Sequence, residues 1–317
     1  VLIVGLARSG TTWVGQALSG AEGTAYLDEP DNHYRWPWAY RAKASLSGRA
    51  YPCLSIGAAA PDYEALWQSA FEIEGGGGDR DVRAGQRTVA RWLQRGLLPP
   101  RLRRGPARVR SDYAGQGRPP RLAAAACLAL PEVPEAGAGD LVVKSVYAAR
   151  SVGWVAAQLP VRVLVLRRDL RSVVASWKAA GWLDDPDEDF LDELGPGGGE
   201  ALAADMGVPL PSAALTQIGR VTWLLACMAS ELRTAAERHP GWSVASYEDL
   251  VADAGRLLPA LADELGVGWS AAADAQLRGP LAPPPPRAAG IDPRLSDAEA
   301  EEIASVLEGF NLRGWAW

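Results

Sequence analysis

The sequence predicts a three-layer α/β domain, a parallel sheet with helices on both faces. Three stretches predict it. Val1-Leu2-Ile3-Val4 is a short apolar run that stops at Gly5, turns through small residues and continues at helical spacing. Asp140-Leu141-Val142-Val143-Lys144-Ser145 is a second buried strand. Val161 to Leu166 is a third, rich in β-branched residues, that runs straight into a helical segment. Strands alternating with helices build parallel sheets.

The 317 residues are enough for one large domain and its core, and a hydrophobic content of 48% with 22% charged residues is ordinary for a globular chain. A net charge of −6 gives no general attraction to nucleic acid, so an anion site must be a local cluster of Arg and Lys. Cys53, Cys127 and Cys227 are odd in number and lack CxxC spacing, which suits a reducing compartment and buried small side chains. No apolar run reaches the length of a membrane span. The chain opens directly on a strand, as it would if a natural N-terminus, with any targeting segment, had been trimmed.

In chain order, the first turn carries Gly5-x4-Gly10-Thr11-Thr12, the spacing of a phosphate-binding P-loop, and Thr11 to Leu18 form the helix behind it with Trp13, Val14, Ala17 and Leu18 inward. Thr11 stands where a nucleotide-hydrolysing loop needs Lys, and the cation sits inside the loop at Arg8. Gly23 to Pro30 read as the second strand, ending at Asp28-Glu29, with Pro30 biasing Glu29 toward extended backbone. Ligands of open parallel sheets bind at strand C-termini, so Glu29 belongs near the loop, either as a solvated acid or as a general base. His33 is the other candidate base.

Aromatics crowd residues 32–68 (Tyr34, Trp36, Trp38, Tyr40, Tyr51, Tyr63, Trp67); packing against the sheet is favoured over an acceptor pocket. Gly75 to Gly78 open an insertion near 75–121 whose Arg83, Arg87, Arg91 and Arg95 form one basic helical stripe, a solvated face or a surface for an anionic acceptor. Lys144 ends its strand at the same crevice as Arg8 and Glu29. Asp169 can cap the helix after the third strand, in which Arg168 and Ser176 lie about two turns apart. Residues 184–216 mix acids, Gly-Pro-Gly-Gly-Gly and Pro, and read as a second insertion, a long mobile loop. Gln217 to His239 form a long helix, Trp242 to Leu250 a strand and turn, and Leu257 to Leu265 another helix. Leu295 to Leu307 form a terminal helix with Ser296 as cap and Glu299 three later.

Arg8-Ser9-Gly10-Thr11-Thr12-Trp13 resembles the 5′-phosphosulfate loop of sulfotransferases that use 3′-phosphoadenosine 5′-phosphosulfate (PAPS). By itself the loop is equally compatible with a divergent P-loop kinase or a structural turn. The second strong match is the strand followed by Arg168-Asp169-Leu170-Arg171 and Ser176, which resembles that family's 3′-phosphate site. Glu29-Pro30, Lys144 and Tyr247-Glu248-Asp249-Leu250 are supporting matches.

The resemblance implies a single domain over residues 1–317 with a P-loop-like fold, and transfer of a sulfuryl group from PAPS to a hydroxyl, leaving PAP. It implies that Ser9, Gly10, Thr11 and Thr12 hold the 5′-phosphate, that Arg168 and Ser176 hold the 3′-phosphate, with Arg171 supporting them or pairing with Asp169, and that Trp13 and Tyr247 meet adenine. A plain core role for Tyr247 is the alternative. It further implies that Arg8 and Lys144 neutralise charge at the transferred group and that Glu29 is the base. Lys144-Ser145-Val146 stands where the cytosolic phenol and steroid enzymes have Lys-Thr-His, so their base is missing and kinship with them is distant. No metal is expected. The expected partner is a hydroxyl-bearing acceptor (carbohydrate, glycolipid or small natural product). A cytoplasmic enzyme is favoured, with a trimmed Golgi lumenal domain as the alternative. A nucleotide kinase and a non-catalytic PAP-binding relic are the competing functions.

Overall fold

The computed structural model describes residues 1–21, 23–33, 36–46, 50–71, 140–184, 190–284 and 292–312. Five short strands pair in parallel: β1 (Leu2–Gly5), β2 (Ala25–Asp28), β3 (Leu141–Ser145), β4 (Val163–Arg167) and β5 (Ser243–Ser246), in the spatial order β2-β3-β1-β4-β5. The chain leaves β1 toward one edge, returns through β3, then crosses β1 to build β4 and β5 on the other side. That reversal puts the C-terminal end of β1 at the switch point where open α/β sheets bind ligands.

Side-chain alternation makes the layers. Leu2 and Val4 join one buried cluster with Val143, Val163 and Val165, whereas Ile3 joins a second with Val142, Leu164 and Leu166. Helix α1 (Thr11–Leu18) covers the second face, together with α8 (Tyr247–Ala252), α9 (Ala254–Glu264) and α10 (Ala271–Leu277). The first face is covered by α2 (Pro37–Ala42), α3 (Pro61–Ala70), α4 (Val152–Gln158), α5 (Leu170–Ala179), α6 (Gly198–Met206), α7 (Gln217–Arg238) and α11 (Asp297–Glu308). The fold is therefore three-layered α/β with a P-loop-like loop after its central strand. No described helix is long and apolar enough to cross a membrane.

The structure corrects several expectations. Residues 184–216 are not simply loop: a 3₁₀ turn (Phe190–Leu194) and α6 occupy much of the segment, with Phe190, Leu194, Leu202 and Ala203 buried. Gly197 and Gly207, in left-handed conformations, bracket α6, and Gly198 and Gly199 lie in its first turn. Tyr247 opens a helix capped by the Ser246 side chain instead of sitting in a turn. Cys53 is exposed and only Cys227 is a buried small side chain; Cys127 lies outside the described residues, as do the Arg83 to Arg95 stripe and the rest of the insertion near 75–121. Trp38, Tyr51, Tyr63 and Trp67 are core, as the packing reading requires, while Trp36 and Tyr40 are half-buried and Tyr34 is outside the described residues.

Two caps form as the sequence indicates. Ser296 and Glu299 make a reciprocal capping box on α11, and Asp169 accepts the Ser172 N–H at 2.8 Å at the start of α5. Asp169→Ala removes a partner from an N-terminal amide, and urea denaturation should show a loss of about 1 kcal/mol.

Candidate functional site: an anion cradle beside a Lys–carboxylate pair

The cradle follows β1. Gly5 is required by close approach: a Cβ there would lie 2.7 Å from the Leu166 carbonyl oxygen and 2.8 Å from Ser9 Oγ. The chain then turns through two left-handed residues, Arg8 (φ 69°) and Gly10 (φ 95°), and enters α1 with no side chain capping the helix. The Tyr247 ring lies against Gly10 so closely that a Cβ would meet Tyr247 Cδ2. Ser9 Oγ is buried and has no hydrogen-bond partner among the described residues. A small-residue loop, uncapped helix amides and an unsatisfied buried hydroxyl together fit a phosphate group.

Residues far along the chain fix this loop. The Arg168 side chain donates to the Arg8 carbonyl at 2.7 Å, and its guanidinium lies 4.3 Å from the Tyr247 ring centre. Arg8 Nε donates to Ser176 Oγ at 3.1 Å, and Trp177 Nε1 donates to the Ala7 carbonyl at 3.0 Å. The Arg8 guanidinium also sits 5.7 Å from the ring of the exposed Trp182. Trp13, expected to point inward, is half-buried; its indole donates to Leu281 O at 2.9 Å and meets Tyr247 edge-on at 6.0 Å. The structure thus brings Arg8, Ser9, Gly10, Thr11, Thr12, Trp13, Arg168, Ser176 and Tyr247 to one end of the sheet. Asp169 spends its side chain on the helix cap.

A second cluster lies at the ends of β2 and β3. Lys144, 3% exposed, pairs with Glu29 and lies 3.5 Å from Asp28 Oδ1. Asn32 Nδ2 donates to the other Glu29 oxygen at 2.7 Å. Glu29 is not extended as Pro30 suggested; its φ is +48°. The chain reverses there because Glu29 N–H donates to Lys144 O at 2.7 Å while Asn32 N–H donates to Glu29 O at 3.1 Å. His33 is buried and packs edge-on against Tyr147 at 5.7 Å. It is near Glu29 in sequence but embedded in aromatic packing.

Tyr26 joins the two clusters. Its hydroxyl donates to Asp28 Oδ1 at 3.1 Å and also hydrogen-bonds the Thr12 side chain. Burial, reinforced by the Asp28 charge, pushes the phenol far above its ordinary range, so it stays a proton donor. The contacts run Thr12, Tyr26, Asp28, Lys144, Glu29. Tyr26 and Asn32 escaped the sequence reading. Only Asn32 left a local signal, its position three residues after Glu29 in a Pro-containing turn. Among the described residues no group of His, Cys, Asp or Glu gathers to hold a metal ion.

No protein-family model and no curated protein matches the chain. Among solved structures it is similar to sulfotransferase STF9 from Mycobacterium avium (14% identity, TM-score 0.42, covering 98% of this chain and 76% of that one). It is also similar to the sulfotransferase domain of the Synechococcus PCC 7002 olefin synthase (15%, 0.37, 97% and 92%). A third is the sulfotransferase domain from the curacin biosynthetic pathway (12%, 0.39, 86% and 76%).

Two loop substitutions should separate strain from unsatisfied polarity in urea melts without ligand. Gly10→Ala forces a side chain into the Tyr247 ring at a left-handed φ and should cost about 1–3 kcal/mol. Ser9→Ala removes a buried hydroxyl with no hydrogen-bond partner among the described residues and should leave stability unchanged or raise it by up to about 1 kcal/mol.

Proposed function

We propose that the protein is a PAPS-dependent sulfotransferase acting on a hydroxyl of a carbohydrate, glycolipid or small natural product. One observation carries this reading: the two sharp motifs, 168 residues apart at Arg8 and Ser176, meet in a direct hydrogen bond while Arg168 grips the Arg8 carbonyl. A donor with phosphates on both its 5′ and 3′ positions needs two anion sites that share a wall, and the contact between the two motifs supports this reading.

In this reading Ser9, Gly10, Thr11 and Thr12 hold the 5′-phosphate through hydroxyls and the uncapped amides of α1. Arg168 and Ser176 hold the 3′-phosphate, a planar guanidinium suiting two phosphate oxygens. Trp13 and Tyr247 offer apolar faces to the adenine. The reaction breaks the S–O bond to the 5′-phosphate and forms an S–O bond to the acceptor, whose proton goes to Glu29. Arg8 and Lys144 counter the negative charge on the leaving phosphate and the sulfuryl oxygens, so that most of the catalysis is positioning and charge stabilisation. Glu29 is preferred to His33 as base because it lies on Lys144 at the crevice, whereas His33 packs on Tyr147.

The test is transfer of labelled sulfate from PAPS to a panel of hydroxyl acceptors, with Glu29→Gln as the decisive variant. Turnover should fall about a hundredfold or more while PAP affinity stays within about twofold. Undiminished turnover would remove Glu29 from the mechanism. PAP binding without transfer to any acceptor in the panel would favour a non-catalytic binding module.

A further inference from the structure

Glu29 sits in a backbone conformation that neither its side chain nor the following proline favours. A φ of +48° is uncommon for any residue with a Cβ, and a residue before proline is normally driven to extended backbone. Such a conformation persists only where the surroundings over-determine it. Besides the backbone bonds that join Glu29 to Lys144 and Asn32, a side-chain restraint lies two residues on. Asp31 is fully buried and accepts from Ser145 Oγ at 2.6 Å and from the Tyr63 hydroxyl at 3.1 Å. Lys43, also fully buried, lies 3.5 Å from the same carboxylate and donates to the Ala50 carbonyl at 3.2 Å. Burial lowers the Lys43 pKa, and the charge of Asp31 opposes that shift only in part.

Ser145 directly follows Lys144, and Asp31 follows Glu29 by two. Two contacts therefore run side by side between the same two segments, one functional (Lys144 to Glu29) and one buried (Ser145 to Asp31). Ser145 Oγ also accepts the N–H groups of Tyr147 and Ala148 at 3.0 and 3.1 Å, which leaves its proton committed to Asp31.

We propose that the buried Asp31–Ser145 hydrogen bond, backed by Lys43 and Tyr63, is a latch that holds Glu29 in its left-handed turn against Lys144. Asp31 and Ser145 are then positioning residues for the proton transfer assigned to Glu29, and this rests on the sulfotransferase reading.

The experiment compares wild type with Ser145→Ala, which removes one hydroxyl and keeps the Lys43–Asp31 pair, and with the double variant Asp31→Asn/Lys43→Met, which removes both charges together. Crystal structures should show the Glu29 carboxylate off Lys144 and its φ relaxed to negative values. Kinetics should show kcat about tenfold to a hundredfold lower per folded molecule, with KM for PAPS within about twofold. A carboxylate still seated on Lys144 overturns the proposal. So does a loss of melting temperature with kcat per folded molecule unchanged, which is the signature of a purely structural pair. If wild type transfers no sulfuryl group, the functional reading fails, and the crystal structures alone decide whether the latch exists.

Discussion

The Arg168 guanidinium bonded to the Arg8 carbonyl is the contact on which the site depends. Arg8 is a left-handed residue in the loop after β1, and its carbonyl accepts a charge-assisted hydrogen bond. Arg168 is the donor. It comes from the end of β4, the strand hydrogen-bonded to β1, so the register of the sheet delivers it. Trp177 bonding the Ala7 carbonyl from α5 fixes the loop from the same side. The loop is thus tied to the strand end and helix that carry Arg168, Ser176 and Trp177.

The opposite side of β1 works by the same logic. β3 pairs with β1 and β2, so the ends of these strands put Lys144 beside Asp28 and Glu29. A buried lysine next to two carboxylates is costly to desolvate unless all are paired, and here each has a partner. Tyr26 links this cluster to Thr12 at the start of α1. The loop carrying Arg8 and the acidic end of β2 therefore lie at the same end of the sheet although the chain as a whole carries a charge of −6.

Much of this was legible in the sequence, and the reason is locality. β1, β3 and β4 are apolar runs, and the loop at Arg8 to Trp13 and the Arg168 to Ser176 segment are contiguous motifs. What escaped depends on contacts between distant segments. Asp31 and Ser145 are 114 residues apart, and nothing near either marks the bond between them. The left-handed turn at Glu29 contradicts the local preference set by Pro30, because bonds to Lys144 and Asn32 outweigh that preference. Residues 190–206 misled for a different reason: glycine richness indicates loop on composition, yet Gly197 and Gly207 are the two ends of a helix. The aromatic-rich stretch resolved toward packing, since Tyr63, in edge contact with Trp67, lies against Lys43 and Asp31 in the core.

The most direct test of the central claim, that two phosphate sites share the wall between Arg8 and Arg168, is thermal stabilisation by PAP compared with ADP and with ATP and Mg²⁺. A ligand at a hundred times its dissociation constant adds about 2.7 kcal/mol to stability, which a melting curve resolves easily. The account predicts a Mg²⁺-independent shift with PAP that exceeds that with ADP and disappears in Arg168→Ala. A larger shift with ATP and Mg²⁺ than with PAP, or a PAP shift that survives Arg168→Ala, would contradict it.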